Sequence, residues 1–227
     1  MIKLISVYKE YPRSGLALKN VSLHIRKGEF AFLTGPSGAG KSTILRLIHM
    51  TERPSEGEVR VSGFSSKQVK RRDIPQLRRR VGMVFQDFRL LRTRTAAENL
   101  AFAHEVTGGK RSEIKAKVQR LLAQVGLASR ASAYPEELSG GEQQRIAIAR
   151  ALIHDPVILL ADEPTGNLDE RAANGVFDLI REINSVGTAV LIATHDLDLV
   201  RRFSQYRVLE LADGAIVYDT LHSDGKQ

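Results

Sequence analysis

The sequence contains no cysteine. Disulfides, thiolate nucleophiles and cysteine-ligated zinc or iron–sulfur centres are therefore excluded, and the absence agrees with a reducing compartment. No apolar run reaches the length of a membrane-spanning helix; the longest, Val157-Ile158-Leu159-Leu160-Ala161, is the size of a strand. The first residues, Met1-Ile2-Lys3-Leu4-Ile5-Ser6, lack the basic region, apolar stretch and cleavage site of a secretory leader. These absences predict a cytoplasmic protein. Low-complexity stretches, long linkers and internal repeats are missing too, so residues 1–227 are expected to form a single domain.

Acid is scarce relative to base, leaving a formal charge of +8. Much of the excess is local: Lys67, Lys70, Arg71, Arg72, Arg78, Arg79 and Arg80 stand against one acid, Asp73. Such a run is either a solvated face or a contact with an anionic membrane surface or a protein partner. It has no interleaved aromatics and no recognition-helix motif, which argues against specific nucleic-acid binding.

What is present alternates. Strands are expected at 21–25, 29–34, 57–61, 81–86, 157–162 and 189–193, the first two joined by a turn at Lys27-Gly28. Helical patterns cover 96–106 and 113–125, with Gly126 as a stop, and a further helix carries Val176, Phe177, Ile180 and Ile183. Another helix follows Asp196, and Asp213-Gly214 marks a closing hairpin. Strands that alternate with helices predict an α/β fold with a mainly parallel core sheet, and the opening and closing strands suggest an antiparallel lobe.

The chemistry begins at Gly35-Pro36-Ser37-Gly38-Ala39-Gly40-Lys41-Ser42, a phosphate loop between an expected strand and an expected helix. Its glycines let backbone amides turn toward phosphates, and the helix N-terminus adds partial positive charge. Lys41 is placed to reach the terminal phosphates and Ser42 to ligate Mg²⁺. Strand 157–162 ends in Asp162 and Glu163. Beside a phosphate loop, Asp162 can hold Mg²⁺ and Glu163 can polarise the water that attacks a γ-phosphate.

A second anion-binding pattern, Leu138-Ser139-Gly140-Gly141-Glu142-Gln143-Gln144-Arg145, lies about a hundred residues downstream. Ser139 and Glu142 alone make a helix capping box. Two adjacent glycines at a helix start cost stability unless something approaches the backbone closely.

That segment resembles the signature motif of the ABC-type ATP-binding cassettes, and the rest of the set follows in order. The resemblance covers nearly the whole chain. It implies a phosphate-loop ATPase fold with an antiparallel β lobe and a helical signature subdomain, ATP and Mg²⁺ as cofactors, and Lys41, Glu163 and His195 as catalytic residues. It implies nucleotide contacts from the loop through Thr43, from Tyr11 as the adenine-stacking aromatic, and from Gln86, which senses Mg²⁺ and the membrane partner. Asp169 matches the D-loop aspartate, and His195 matches the switch histidine.

In this family two cassettes pair head to tail, so each ATP lies between the phosphate loop of one and Ser139, Gly140, Gly141 and Glu142 of the other. One chain would thus carry two phosphate sites for two different partners, as an ATP-bound homodimer. Asp162-Glu163-Pro164-Thr165-Gly166-Asn167-Leu168-Asp169 is similar to the branch of cell-division, lipoprotein-release and macrolide-efflux ATPases. Residues 31–43 and Phe85-Gln86-Asp87-Phe88-Arg89-Leu90-Leu91 look most like the cell-division, FtsE-type members. These imply an integral membrane partner of the FtsX type, contacted between Asp87 and His104 on the cytoplasmic face of the bacterial inner membrane at the division site. The alternative is the ATPase subunit of a lipoprotein-release or macrolide-efflux transporter.

Overall fold

The computed structural model describes residues 1–223, apart from the side chains of 222 and 223; the last residues of the expected domain, 224–227, lie outside the described ones. Two sheets organise the chain. β1 (Ile2–Tyr11), β2 (Gly15–Ile25), β4 (Glu56–Val61) and β5 (Phe64–Ser65) form an antiparallel lobe in the order β2-β1-β4-β5. β3 (Phe30–Thr34), β6 (Val81–Val84), β7 (Ile158–Asp162), β8 (Ala189–Ala193), β9 (Arg207–Ala212) and β10 (Ala215–Asp219) form a second sheet in the order β10-β9-β3-β8-β7-β6. All neighbours in the second sheet run parallel except β10 against β9. The helices are α1 (Lys41–Ile48), α2 (Ile74–Arg79), α3 (Ala96–Val106), α4 (Arg111–Gln124), α5 (Gly140–Ala151), α6 (Glu170–Ser185), α7 (Leu197–Arg202) and the short α8 (Thr220–Ser223).

The near-continuous apolar runs of β3, β7 and β8 follow from burial on both faces. Ala31, Leu33, Ile158 and Leu160 pack into a core shared with α1 and the antiparallel lobe. Phe30, Phe32, Leu159 and Ala161 point the other way, into a core with α3, α4, α5 and α6. Phe32 and Phe177 stack there at 6.0 Å, with Phe30 edge-on to both. Arg207 fastens lobe to sheet: its Nη1 donates to the carbonyl of His24 in β2 and to Glu29, and its Nε and Nη2 make a bidentate pair with Asp219.

The expected strands and helices are present, with informative differences at their edges. The strand expected at 21–25 is the end of a longer β2, and the turn at Lys27-Gly28 passes the chain from one sheet to the other. β1 had no expectation because register shifts between Leu4 and Val7, around Ser6 at φ 46°, break its period-two alternation. β6 stops at Val84 rather than 86, before Phe88 and Arg89 enter left-handed backbone conformations at φ 54° and 50°. Asp213 and Gly214 both have positive φ, as a tight hairpin between β9 and β10 requires.

Candidate functional site

The phosphate loop runs from the end of β3 into α1, and its backbone is fixed by close contact with β9. A Cβ on Gly35, at φ 137°, would stand 2.1 Å from the Leu211 carbonyl oxygen, so no other residue fits there. Lys41 is buried, and its Nζ donates to the carbonyls of Gly35 at 2.7 Å and Pro36 at 3.0 Å. The ammonium is thereby held at the mouth of the loop formed by its own chain.

β7 delivers the two acids. Ser42 Oγ donates to Asp162 Oδ1 at 3.1 Å, which ties the first turn of α1 to the strand end. Burial, and next the charge of Glu163, push the Asp162 carboxyl above the ordinary carboxylate range, against the Ser42 hydrogen bond. Glu163 adopts φ 49°, and its N–H donates to the Ala193 carbonyl at 2.9 Å, so the residue turns off the ladder at the end of β8. Its carboxylate, only 14% exposed, meets His195 Nδ1 at 2.8 Å, while the imidazole is 66% exposed.

Gln86 reaches the same place from the segment after β6. Its Nε2 donates to Asn167 Oδ1 at 3.3 Å, and Asn167 Nδ2 donates back to the Gln86 carbonyl at 3.1 Å. Arg89 lies over the Phe85 ring at 3.8 Å and pairs with Asp87. The result is a cleft of about 950 Å³. It brings together Pro36, Ser37, Gly38, Gly40, Lys41, Ser42, Thr43, Gln86, Asp162, Glu163 and His195 from the sequence-predicted set. Ala39 is buried within the same loop.

The remaining predicted residues stand outside that cleft. Tyr11 ends β1 with Lys9 Nζ 4.8 Å from its ring centroid, and burial, with Glu52 beside the hydroxyl, raises its pKa. Asp169 caps α6 by accepting from the Ala172 N–H. Ser139 caps α5 in the expected box: Glu142 Oε2 accepts from Ser139 N at 2.8 Å, and Ser139 Oγ accepts from Glu142 N at 3.3 Å. The Ser139 N–H and Oγ both donate to the Glu142 carboxylate and hold it below its ordinary pKa.

The glycines of this cap are explained in part within the chain. A Cβ on Gly141 would lie 2.9 Å from the Ala172 Cβ of α6, so packing of α5 on α6 already requires it. Asn167, Arg89 and Gln144 have no sequence-assigned role, although the structure joins them to the loops of the site; short spacing rules do not register the pairing of Gln86 with Asn167 or the contacts of Gln144 with Phe85 and Pro164.

Residues 18–166 match the family described as ABC transporter. The chain is 50% identical over 220 residues to the cell division ATP-binding protein FtsE of Mycobacterium tuberculosis (strain H37Rv), across 96% of this chain and 95% of that one. It is 49% identical over 214 residues to the protein of the same name from Escherichia coli (strain K12), across 94% and 96% of the two chains. A solved ATP-binding cassette in a dimeric, post-hydrolysis state bound to ADP and Pi superposes with a TM-score of 0.85 at 36% identity, over 96% of this chain and 97% of that one.

Proposed function

Because the chain belongs to the ABC transporter family and is an ATP-binding ATPase of it, we propose that it serves an FtsE–FtsX-type complex. In that complex it drives a membrane partner that regulates cell-wall hydrolysis during bacterial division. The observation that carries the chemistry is the convergence of Lys41, Ser42, Gln86, Asp162, Glu163 and His195 on one cleft, while Ser139 and its glycines stand elsewhere.

The site fits a hard divalent cation. Ser42 Oγ and Asp162 Oδ1 are neighbouring oxygen donors, and no group of three or more His, Cys, Asp or Glu side chains among the described residues could hold an ion by itself. Mg²⁺ suits such a site, because it is commonly held by one or two protein oxygens together with substrate phosphates. Ser42, Asp162 and Gln86 would hold it, and when bound it would neutralise charge on the terminal phosphates. Lys41 Nζ exchanges loop carbonyls for phosphate oxygens. Glu163 accepts the proton of the attacking water, and His195 fixes the carboxylate in position.

ATP joins two copies head to tail, the signature residues Ser139 to Glu142 and Asp169 of each facing the nucleotide of the other. Tyr11 supports the adenine. The membrane partner meets the region from Asp87 to His104, where Arg78, Arg79, Arg89 and Arg150 line a groove of about 360 Å³ with Met83 and Phe85. His49 in the same groove is held neutral, its pKa lowered to about 4 by burial and by Arg78.

The basic run divides. Arg78 donates to the His49 and Met50 carbonyls and Arg80 to Ser62, so these serve the fold. Lys67, Lys70, Arg71 and Arg72 are exposed and form the part that faces anionic lipid. Reversing these four charges is expected to weaken binding to anionic vesicles without changing hydrolysis.

The test of the division reading is the position of a tagged copy at native level in dividing cells. A band at the division site that is lost with the FtsX-type partner is expected. An even distribution around the membrane would overturn the division role in favour of a transport ATPase.

A further inference from the structure

Gln144 is the one buried amide side chain of α5, with 0% exposure among apolar neighbours Ile146, Ala147 and Ile148. Its Nε2 donates to two carbonyls, Pro164 at 2.7 Å and Phe85 at 3.4 Å. Both acceptors lie just past the ends of the parallel ladder, since β7 stops at Asp162 and β6 at Val84. Pro164 directly follows Glu163, and Phe85 directly precedes Gln86. The amide oxygen is buried without a hydrogen-bond partner. Two carbonyls hold the amide nitrogen toward them, because turning the group over would set oxygen against oxygen.

Gln144 is also one turn from Ser139, Gly140 and Gly141 along the same rigid helix. The cap at the start of α5 is therefore connected, through a single side chain, to the backbone on which Glu163 and Gln86 are mounted.

Resting on the ATPase reading above, we propose that Gln144 is a positioning residue for hydrolysis. It locks the signature helix to the strand end carrying Glu163 and to the loop carrying Gln86. In the paired state, nucleotide seated against α5 of a cassette is felt at that same cassette's own Glu163, so Gln144 links the two ATP sites. It touches no substrate, and its effect is on the placement of groups that do.

The test compares full-length wild type with Gln144→Met, which keeps the length and removes the donor, and Gln144→His, whose Nε2–H restores one donor at a similar reach. Steady-state hydrolysis is measured against ATP concentration, alongside equilibrium binding of ATP by titration. The expected result for Gln144→Met is a fall in kcat of about 10- to 100-fold, ATP affinity within about 2-fold of wild type, and a Hill coefficient that drops toward 1. Gln144→His is expected to recover most of kcat. Unchanged kcat and Hill coefficient in Gln144→Met, with wild type active, would overturn the proposal alone. Wild type that binds and hydrolyses no ATP would instead remove the ATPase reading beneath it. Should Gln144→Met not fold, Gln144→Leu takes its place, since leucine is a shorter apolar side chain that carries no donor for the two carbonyls.

Discussion

Glu163 and His195 form a closed pair across two strand ends: Nδ1 of the imidazole lies 2.8 Å from Oε1, and the His195 backbone N–H is 3.4 Å from Oε2. A carboxylate can only accept, so Nδ1 carries the proton of this contact. The most exposed member thereby restrains the more buried one, and the carboxylate is fixed at the cleft wall.

Replacing Glu163 by Gln keeps the shape of the pair and removes the proposed base. Hydrolysis is expected to fall by about 10²- to 10⁴-fold, as for loss of a general base. ATP binding should persist, so light scattering in ATP and Mg²⁺ should report a dimer. A species that stays monomeric under those conditions would refute the head-to-tail role of ATP.

Lys41→Ala removes the only ammonium in the loop. Nucleotide affinity is expected to fall at least about 10-fold, since a charge-assisted hydrogen bond contributes about 1.5–3 kcal/mol. Isothermal titration with ATP checks this, and an unaltered dissociation constant would rule the assignment out.

Asp162 gives a pH-linked prediction. Its folded carboxyl has a raised pKa, so over that window the folded state holds a proton that the unfolded state has released. Stability accordingly falls as pH rises from the ordinary carboxylate value through the raised one. Asp162→Asn cannot ionise and still accepts from Ser42. At neutral pH without divalent cations it should melt above wild type, with the gap closing as pH falls through the ordinary carboxylate range near about 4, while hydrolysis is lost. Calorimetry across pH decides it.

Arg207 joins the antiparallel lobe to the parallel sheet through Glu29, His24 and Asp219. Removing one member of a buried ion cluster costs about 3–5 kcal/mol, here because Glu29 and Asp219 both lose the guanidinium that lies between them. Arg207→Met is therefore expected to lower Tm by about 10 °C. A change of less than about 2 °C would show that the lobe is held by its apolar core alone.

The parts of this architecture that were legible in the sequence are those encoded over short distances. The phosphate loop is contiguous, Asp162 and Glu163 close one apolar run, and Ser139 and Glu142 sit a single turn apart. β1 was hidden because its bulges interrupt the alternation that announces a strand. The Asn167 bridge to Gln86 and the Gln144 contacts with Phe85 and Pro164 were hidden for another reason: each joins residues whose nearness exists only after the sheet is assembled. Gly141 shows how one pattern can have more than one cause, since Ala172 requires that glycine within the chain.

The backbone of Glu163, at φ 49°, places a non-glycine side chain where left-handed conformation costs about 1–2 kcal/mol. Glycine or asparagine at this position would relieve that cost and remove the proposed base together. Directed evolution of this protein for heat tolerance alone would thus be drawn toward an inert variant at position 163. Screens for robust forms need turnover as a second criterion, because here the sturdier polypeptide is the dead one.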